Sequence, residues 1–155
     1  MRAALAMLLL VPAFALADAK PAEKEFVLTD EEKGVLELTN AERNAAGLPA
    51  LGVNEKLFQA ARDHSANMAR QGRIDHFLDG RSPGERARAA GYGSATIAEN
   101  VAWNQSSPNE VLRSWMSSSG HRANLLNRGY SIIGIAVAVN ARGERYWTQV
   151  FGQAR

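Results

Sequence analysis

A change of side-chain period near residue 130 limits the folds open to this chain more than any other feature. From Ile132 to Val139, bulky and small residues alternate, which is the two-residue period of an extended strand. One face carries Ile133, Ile135, Val137 and Val139, and the other carries Ile132, Gly134, Ala136 and Ala138. This pattern predicts a strand that is covered on both faces, with a small-residue face that a helix can approach closely.

Two further strands are predicted around this one. The sequence Asn-Ala-Arg-Gly at 140–143 indicates a turn into a second strand, Arg145 to Phe151, so that the two strands form a hairpin. Residues 97–103 have the composition of a third strand. The predicted sheet is therefore small and antiparallel.

The rest of the chain has the capping signals and the period of helices. Thr29 and Glu32 form a capping box for a helix that runs to about Gly47. A second helix is predicted from Asn54, and further helix starts follow at Ser82-Pro83 and Ser107-Pro108. Helices packed on a small antiparallel sheet define an α+β fold.

The chain has no cysteine, so disulfides, a cysteine nucleophile and thiolate-bound metals are excluded, and any metal must bind His, Asp or Glu. Residues 1–17 resemble a signal peptide, because Arg2 precedes an apolar run that ends at the small-x-small sequence Ala15-Leu16-Ala17. We predict cleavage near Ala17, a linker at 18–28 and one domain at 29–155. The predicted location is therefore extracellular or periplasmic.

Charge and hydropathy narrow the class of partner. The formal net charge of +2 falls to +1 once Arg2 is removed with the leader, which is too weak to indicate a nucleic-acid partner. No later apolar run is long enough to cross a membrane. We expect a monomer whose partner is an envelope or extracellular ligand.

Three histidines and one glutamate are the candidate site residues. His64 lies in the apolar stripe of the second helix and is predicted to be a core histidine. His76 lies in a loop, His121 lies at a helix junction, and Glu99 lies between apolar residues of the third strand. Two imidazoles and a carboxylate could form an open site for Zn²⁺ or another divalent metal, although each residue alone also has a structural explanation.

A series of short motifs runs through the chain in a distinctive order: Leu38-Thr39-Asn40, Glu42-Arg43, His64-Ser65, His76, Glu99-Asn100-Val101-Ala102, Trp115-Met116, Gly120-His121-Arg122-Ala123-Asn124 and Tyr146-Trp147-Thr148-Gln149. In this order the motifs resemble those of the CAP superfamily, the SCP-like extracellular proteins named for cysteine-rich secretory proteins, antigen 5 and pathogenesis-related 1. The resemblance is to the cysteine-free bacterial branch and covers about Thr29 to Gly152.

The resemblance implies an α-β-α sandwich, with an antiparallel sheet between helical layers and a cleft that holds two His and two Glu in many members. His76 and Glu99 match two of the four positions. The other two positions hold Ser118 and Tyr146, which are candidate wall residues of the cleft, and His121 could replace the missing imidazole. The predicted metal ligands are thus His76, Glu99 and His121.

The incomplete set of four favours a secreted, non-enzymatic binding module with a polar cleft that has room for a divalent metal. The absence of compact hydrolase and nucleotide-binding motifs favours the same interpretation without deciding it. One alternative is a metal-dependent hydrolase of peptide or cell-wall material, with Glu99 as the base. Another is a protein that binds lipid or sterol between its helices.

Overall fold

The computed structural model describes residues 26–93 and 96–154. The predicted signal peptide and residues 18–25 of the predicted linker lie outside the described residues. The helices of the described ranges are α1 (Asp30–Ala45), α2 (Glu55–Gln71), α3 (Pro83–Ala89), α4 (Pro108–Ser117) and α5 (Ser119–Leu125). The strands are β1 (Gly52–Val53), β2 (Ile97–Trp103), β3 (Ile132–Val139) and β4 (Arg145–Gly152), and a short 3-10 turn covers Leu78–Gly80.

The predicted helix starts are confirmed by their caps. The Thr29 side chain accepts from the Glu32 amide at 3.2 Å, and the Glu32 carboxylate accepts from the Thr29 amide at 2.9 Å. Asn54 caps α2 by accepting from the Leu57 amide at 3.1 Å. These bonds satisfy amides that have no partner inside the first turn of a helix.

The predicted hairpin and third strand are also confirmed, and the sheet contains one further strand. Its order is β1-β3-β4-β2, with antiparallel pairing of β3 to β4 and of β4 to β2. The additional strand, β1, pairs in parallel with β3, so the sheet is mixed. The sequence did not reveal β1 because two residues are too few to show an alternating pattern.

Helices cover both faces of the sheet, which confirms the sandwich architecture. The small face of β3 lies against α2, where Leu57 and Ala61 form a buried cluster with Ala136 and Val150. The large face contributes to the main core, whose members from α1, α4, α5 and the sheet include Val35, Val111, Trp115, Leu125, Ile133, Ile135 and Trp147.

The end of the predicted linker belongs to this core. Phe26 makes an edge contact with Phe58, with ring centroids 5.4 Å apart, and Leu28 packs against the main cluster. Phe26 and Leu28 therefore pack on the domain, although we predicted residues 18–28 as linker. Apolar side chains lose contact with water on packing, which explains why the boundary lies further upstream than the helix cap indicated.

Strand β2 lies at one edge of the sheet and is held there by side chains of α4 and α5. The Trp115 indole donates to the Val101 carbonyl at 3.2 Å, and the Asn124 amide donates to the Glu99 carbonyl at 3.4 Å. This edge carries the candidate site. None of the helices described is both long enough and apolar enough to cross a membrane.

Candidate functional site

Strand β2 directs two neighbouring polar side chains to opposite faces of the sheet. Glu99 pairs in register with Val150, and Asn100 pairs with Gln149. Because successive strand residues point to opposite faces, Glu99 lies on the α2 and α3 side and Asn100 on the α5 side. One strand therefore joins the two halves of the site.

Glu99 is surrounded by basic side chains. Its side chain is 1% exposed, and its Oε1 accepts from His76 Nδ1 at 2.9 Å. Its Oε2 accepts from Arg86 Nη2 at 2.7 Å, and His64 Nε2 lies 3.6 Å from Oε1. The carboxylate thus has a partner on each oxygen, as a buried charge requires.

Arg86 also holds the loop that carries His76. It lies on α3, and its Nη1 donates to the His76 carbonyl at 3.0 Å and to the Arg81 carbonyl at 2.7 Å. The Ser82 capping box starts α3 and so fixes the position of Arg86 relative to this loop. The guanidinium therefore connects α3, the loop and β2.

His64 is the buried histidine that its place in the apolar stripe predicted. It is fully buried, and burial lowers the pKa of its imidazole, so the ring is neutral near pH 7. Its Nε2–H donates to the Asp75 carbonyl at 2.8 Å. The sequence did not show that this ring also borders Glu99.

His121 reaches the site from the opposite face through an amide network. The Asn100 side chain donates to the His121 carbonyl at 3.1 Å, and the Asn124 side chain donates to Asn100 Oδ1 at 2.9 Å. Asn100 also donates to Gln149 Oε1 at 3.2 Å. Burial and then the charge of His76 lower the pKa of the His121 imidazole.

The two candidate wall residues lie in different parts of the fold. Tyr146 is 1% exposed, packs with Leu78 and Val101, and donates to Glu144 at 3.3 Å. Tyr146 pairs with Trp103 of β2. Trp103 lies four residues from Glu99, which is about 14 Å along the strand. Ser118 is the residue between α4 and α5.

The donor set fits a divalent metal poorly. Both oxygens of Glu99 already accept hydrogen bonds, and one of the donors is the permanently charged Arg86. In the two ranges that the structure describes, no group of three or more His, Asp or Glu side chains is arranged to hold a metal ion. Metal binding by His76, Glu99 and His121 stays a prediction.

Arg86 is the site residue that sequence reasoning missed. An arginine close to the charged residues Glu85 and Arg88 has the pattern of a surface residue, yet Arg86 is 9% exposed. The only signal in the sequence that pointed to Arg86 was indirect. A buried carboxylate at Glu99 requires a partner, and arginine is the usual one.

The pH dependence of His76 follows from its hydrogen bond to Glu99, which raises the pKa of this imidazole above its ordinary value of 6.5. A raised pKa in the folded state means that protonated His76 stabilises the fold below pH 6.5, and that this contribution is lost as the pH rises through the raised pKa. We expect an NMR titration to give a midpoint above pH 6.5 for His76 and a midpoint below pH 6.5 for His121.

The Glu99→Gln variant is the control for this titration. It should lower the midpoint of His76, because the charged acceptor is replaced by a neutral one. An unchanged His76 midpoint in this variant would contradict the assigned hydrogen bond.

The sequence of this chain is similar to those of known proteins. Residues 36–151 match the model of the cysteine-rich secretory protein family, CAP. The YkwD protein of Bacillus subtilis (strain 168) is 39% identical over 121 residues, which is 77% of this chain and 46% of that protein. The membrane protein YlbC of the same organism is 29% identical over 126 residues, 81% of this chain and 35% of that protein. The chain therefore spans less than half the length of these relatives.

Solved structures have the same fold. An outer surface protein from Borrelia burgdorferi superposes with a TM-score of 0.76 at 21% identity, covering 83% of this chain and 97% of that one. An extracellular protein containing an SCP domain from Bacillus anthracis has a TM-score of 0.72 at 26% identity, covering 84% of this chain and 45% of that one. At 21% identity, the similarity to the Borrelia burgdorferi protein shows a shared fold alone.

Proposed function

Because the chain belongs to the cysteine-rich secretory protein (CAP) family, we propose that it is an extracellular binding module and not an enzyme. Its ligand would be a polar group of an envelope polymer, held in the cleft at His76 beside Glu99, with His121 as a predicted second contact. A shared fold does not determine function, so the proposal depends on the chemistry of this cleft.

The observation that carries the proposal is the engagement of Glu99. A general base needs a free lone pair within hydrogen-bond distance of the proton it removes. Glu99 instead forms an ion pair with Arg86 at 2.7 Å and accepts from His76 at 2.9 Å, and its side chain is 1% exposed. A carboxylate in this position supports and orients other groups.

His76 is the residue of the cluster that can meet a ligand. Its side chain is 40% exposed, while Glu99 and Arg86 beneath it are buried. Since Nδ1 donates to Glu99, Nε2 is the ring atom left for a ligand. This orientation of an imidazole by a carboxylate is the arrangement that fixes its tautomer in many sites.

The extracellular setting is supported by the relatives and by the predicted signal peptide. One similar structure, 26% identical in sequence, belongs to an extracellular protein.

The experiment is co-sedimentation of the purified protein with isolated bacterial cell-wall sacculi, with release of soluble fragments measured in the same samples. We expect saturable binding without release. His76→Ala should weaken binding by about tenfold or more, as loss of a central contact does. Gln59→Ala, an exposed neutral position on α2, is the matched control and should bind normally.

Two results would contradict the proposal. Failure of the wild-type protein to sediment with sacculi would remove the envelope ligand. Release of fragments that Glu99→Gln abolishes while the protein stays folded would instead support the metal-dependent hydrolase, in which Glu99 is the base.

A further inference from the structure

We infer that Arg86 is a built-in cation that takes the place of a divalent metal at Glu99 and makes the cleft selective against such metals. This inference concerns the same cleft as the proposed function and rests on it. It assigns Arg86 as a specificity-determining residue, one that acts by positioning Glu99 and His76 rather than by contacting the ligand.

The first argument is that the guanidinium is fixed in place. Arg86 is 9% exposed, and its Nη1 donates to two backbone carbonyls, those of His76 and Arg81. Its Nη2 donates to Glu99 Oε2 at 2.7 Å. Moving the guanidinium away would therefore leave the Glu99 carboxylate and two carbonyls without this donor, which is costly for buried groups.

The second argument is the charge that a metal would meet. A divalent ion bound to Glu99 and His76 would lie within a few ångströms of a guanidinium that cannot lose its proton. An ion that bridged Glu99 and Nδ1 of His76 would also displace the hydrogen bond from Nδ1 to Oε1, because a metal-bound imidazole nitrogen cannot donate. Repulsion and the lost bond both disfavour metal binding.

The third argument is that the carboxylate needs no further positive charge. Glu99 carries one negative charge, and Arg86 supplies one positive charge inside hydrogen-bond distance. His64 and His76 border the same carboxylate with imidazole nitrogens at 3.6 and 2.9 Å. In this environment a metal would add charge where charge is already balanced.

The test is calorimetric titration of zinc into metal-stripped protein near neutral pH, together with the shift of the melting temperature on adding zinc. We expect no saturable binding to the wild-type protein at micromolar zinc. Arg86→Met removes the charge while keeping a long side chain, and should bind zinc at least about tenfold more tightly than the wild type. Its melting temperature should rise with zinc and return to the starting value with chelator.

Three variants make the result specific to this site. Arg86→Lys keeps a cation and should behave as the wild type does. Arg88→Gln changes an exposed arginine of the same helix and should also match the wild type. The double variant Arg86→Met/His76→Ala should lose the zinc response that Arg86→Met gains.

Several outcomes would overturn the inference. Stoichiometric zinc binding by the wild-type protein that His76→Ala abolishes would show that the metal coexists with Arg86. Zinc binding by Arg86→Lys, or no zinc binding by folded Arg86→Met, would show that the charge of Arg86 is not what prevents metal binding.

If Arg86→Met folds only in the presence of zinc, that rescue supports the inference. None of these outcomes depends on sedimentation with sacculi, so the proposed function fails separately.

Discussion

Gly134→Ala is expected to abolish the native fold. A Cβ at this position would lie 2.0 Å from the carbonyl carbon of Leu57 and 2.3 Å from the Phe58 nitrogen. Both atoms belong to the backbone of α2, so no side-chain rotation can remove the clash. The helix would have to move away from β3, and the buried cluster between them would open.

The measurement is the yield of soluble protein, followed by near-ultraviolet circular dichroism and urea unfolding of whatever is recovered. We expect a loss of more than about 5 kcal/mol of unfolding free energy, beyond the usual range for single substitutions. Gly120→Ala is the control, because no atom lies within 4 Å of a Cβ there. That change lies in α5 and should be neutral or slightly stabilising. A Gly134→Ala protein within about 1 kcal/mol of the wild type would refute the close packing.

Arg43→Met is expected to have the second-largest effect, about 3 to 5 kcal/mol of lost unfolding free energy. Arg43 is 1% exposed, and burial lowers the pKa of its guanidinium. Its charge is satisfied by backbone oxygens, since it donates at 2.9 to 3.2 Å to the carbonyls of Pro49, Leu125, Asn127 and Tyr130.

The reason for the size of this effect is the number of groups that lose a partner. These carbonyls belong to the loop after α1, to the last residue of α5 and to the chain that follows it, so Arg43 joins segments more than 80 residues apart. Methionine fills part of the volume but donates no hydrogen bond, and each buried carbonyl left unpaired costs about 1 to 3 kcal/mol.

Urea unfolding of Arg43→Met and of Arg113→Met measures this effect. Arg113 is exposed on α4, so its replacement should change the unfolding free energy by less than about 0.5 kcal/mol. Arg43→Lys should recover only part of the loss, because one ammonium group cannot reproduce the guanidinium fork. Equal stability of the two methionine variants would mean that the carbonyls find other donors.

The elements that the sequence predicted well are those with a strong local signal. Caps such as Thr29 and Asn54 satisfy amides within three residues, and the alternation in β3 persists over eight residues. Strand β1 was missed because its pairing partner, Ile132, lies 80 residues away and its own two residues have no period. Local patterns cannot report a strand that only the tertiary structure creates.

The same distinction between local signals and tertiary contacts applies to the residues of the site. The sequence proposed His76 and Glu99 together, and they lie within hydrogen-bond distance. Nothing in it indicated that Arg86 would turn inward, because helix period places a residue on a face without saying what packs over that face. The position of His64 beside Glu99 was hidden for the same reason: a core histidine has many possible neighbours.

The way in which β2 ends the sheet bears on how this protein tolerates crowding. An open strand edge can recruit a second chain and start fibril growth. Here the Val101 and Glu99 carbonyls of β2 accept from Trp115 and Asn124. These side chains occupy acceptors that a strand from a second chain would need, so this edge is a poor template for amyloid-like stacking.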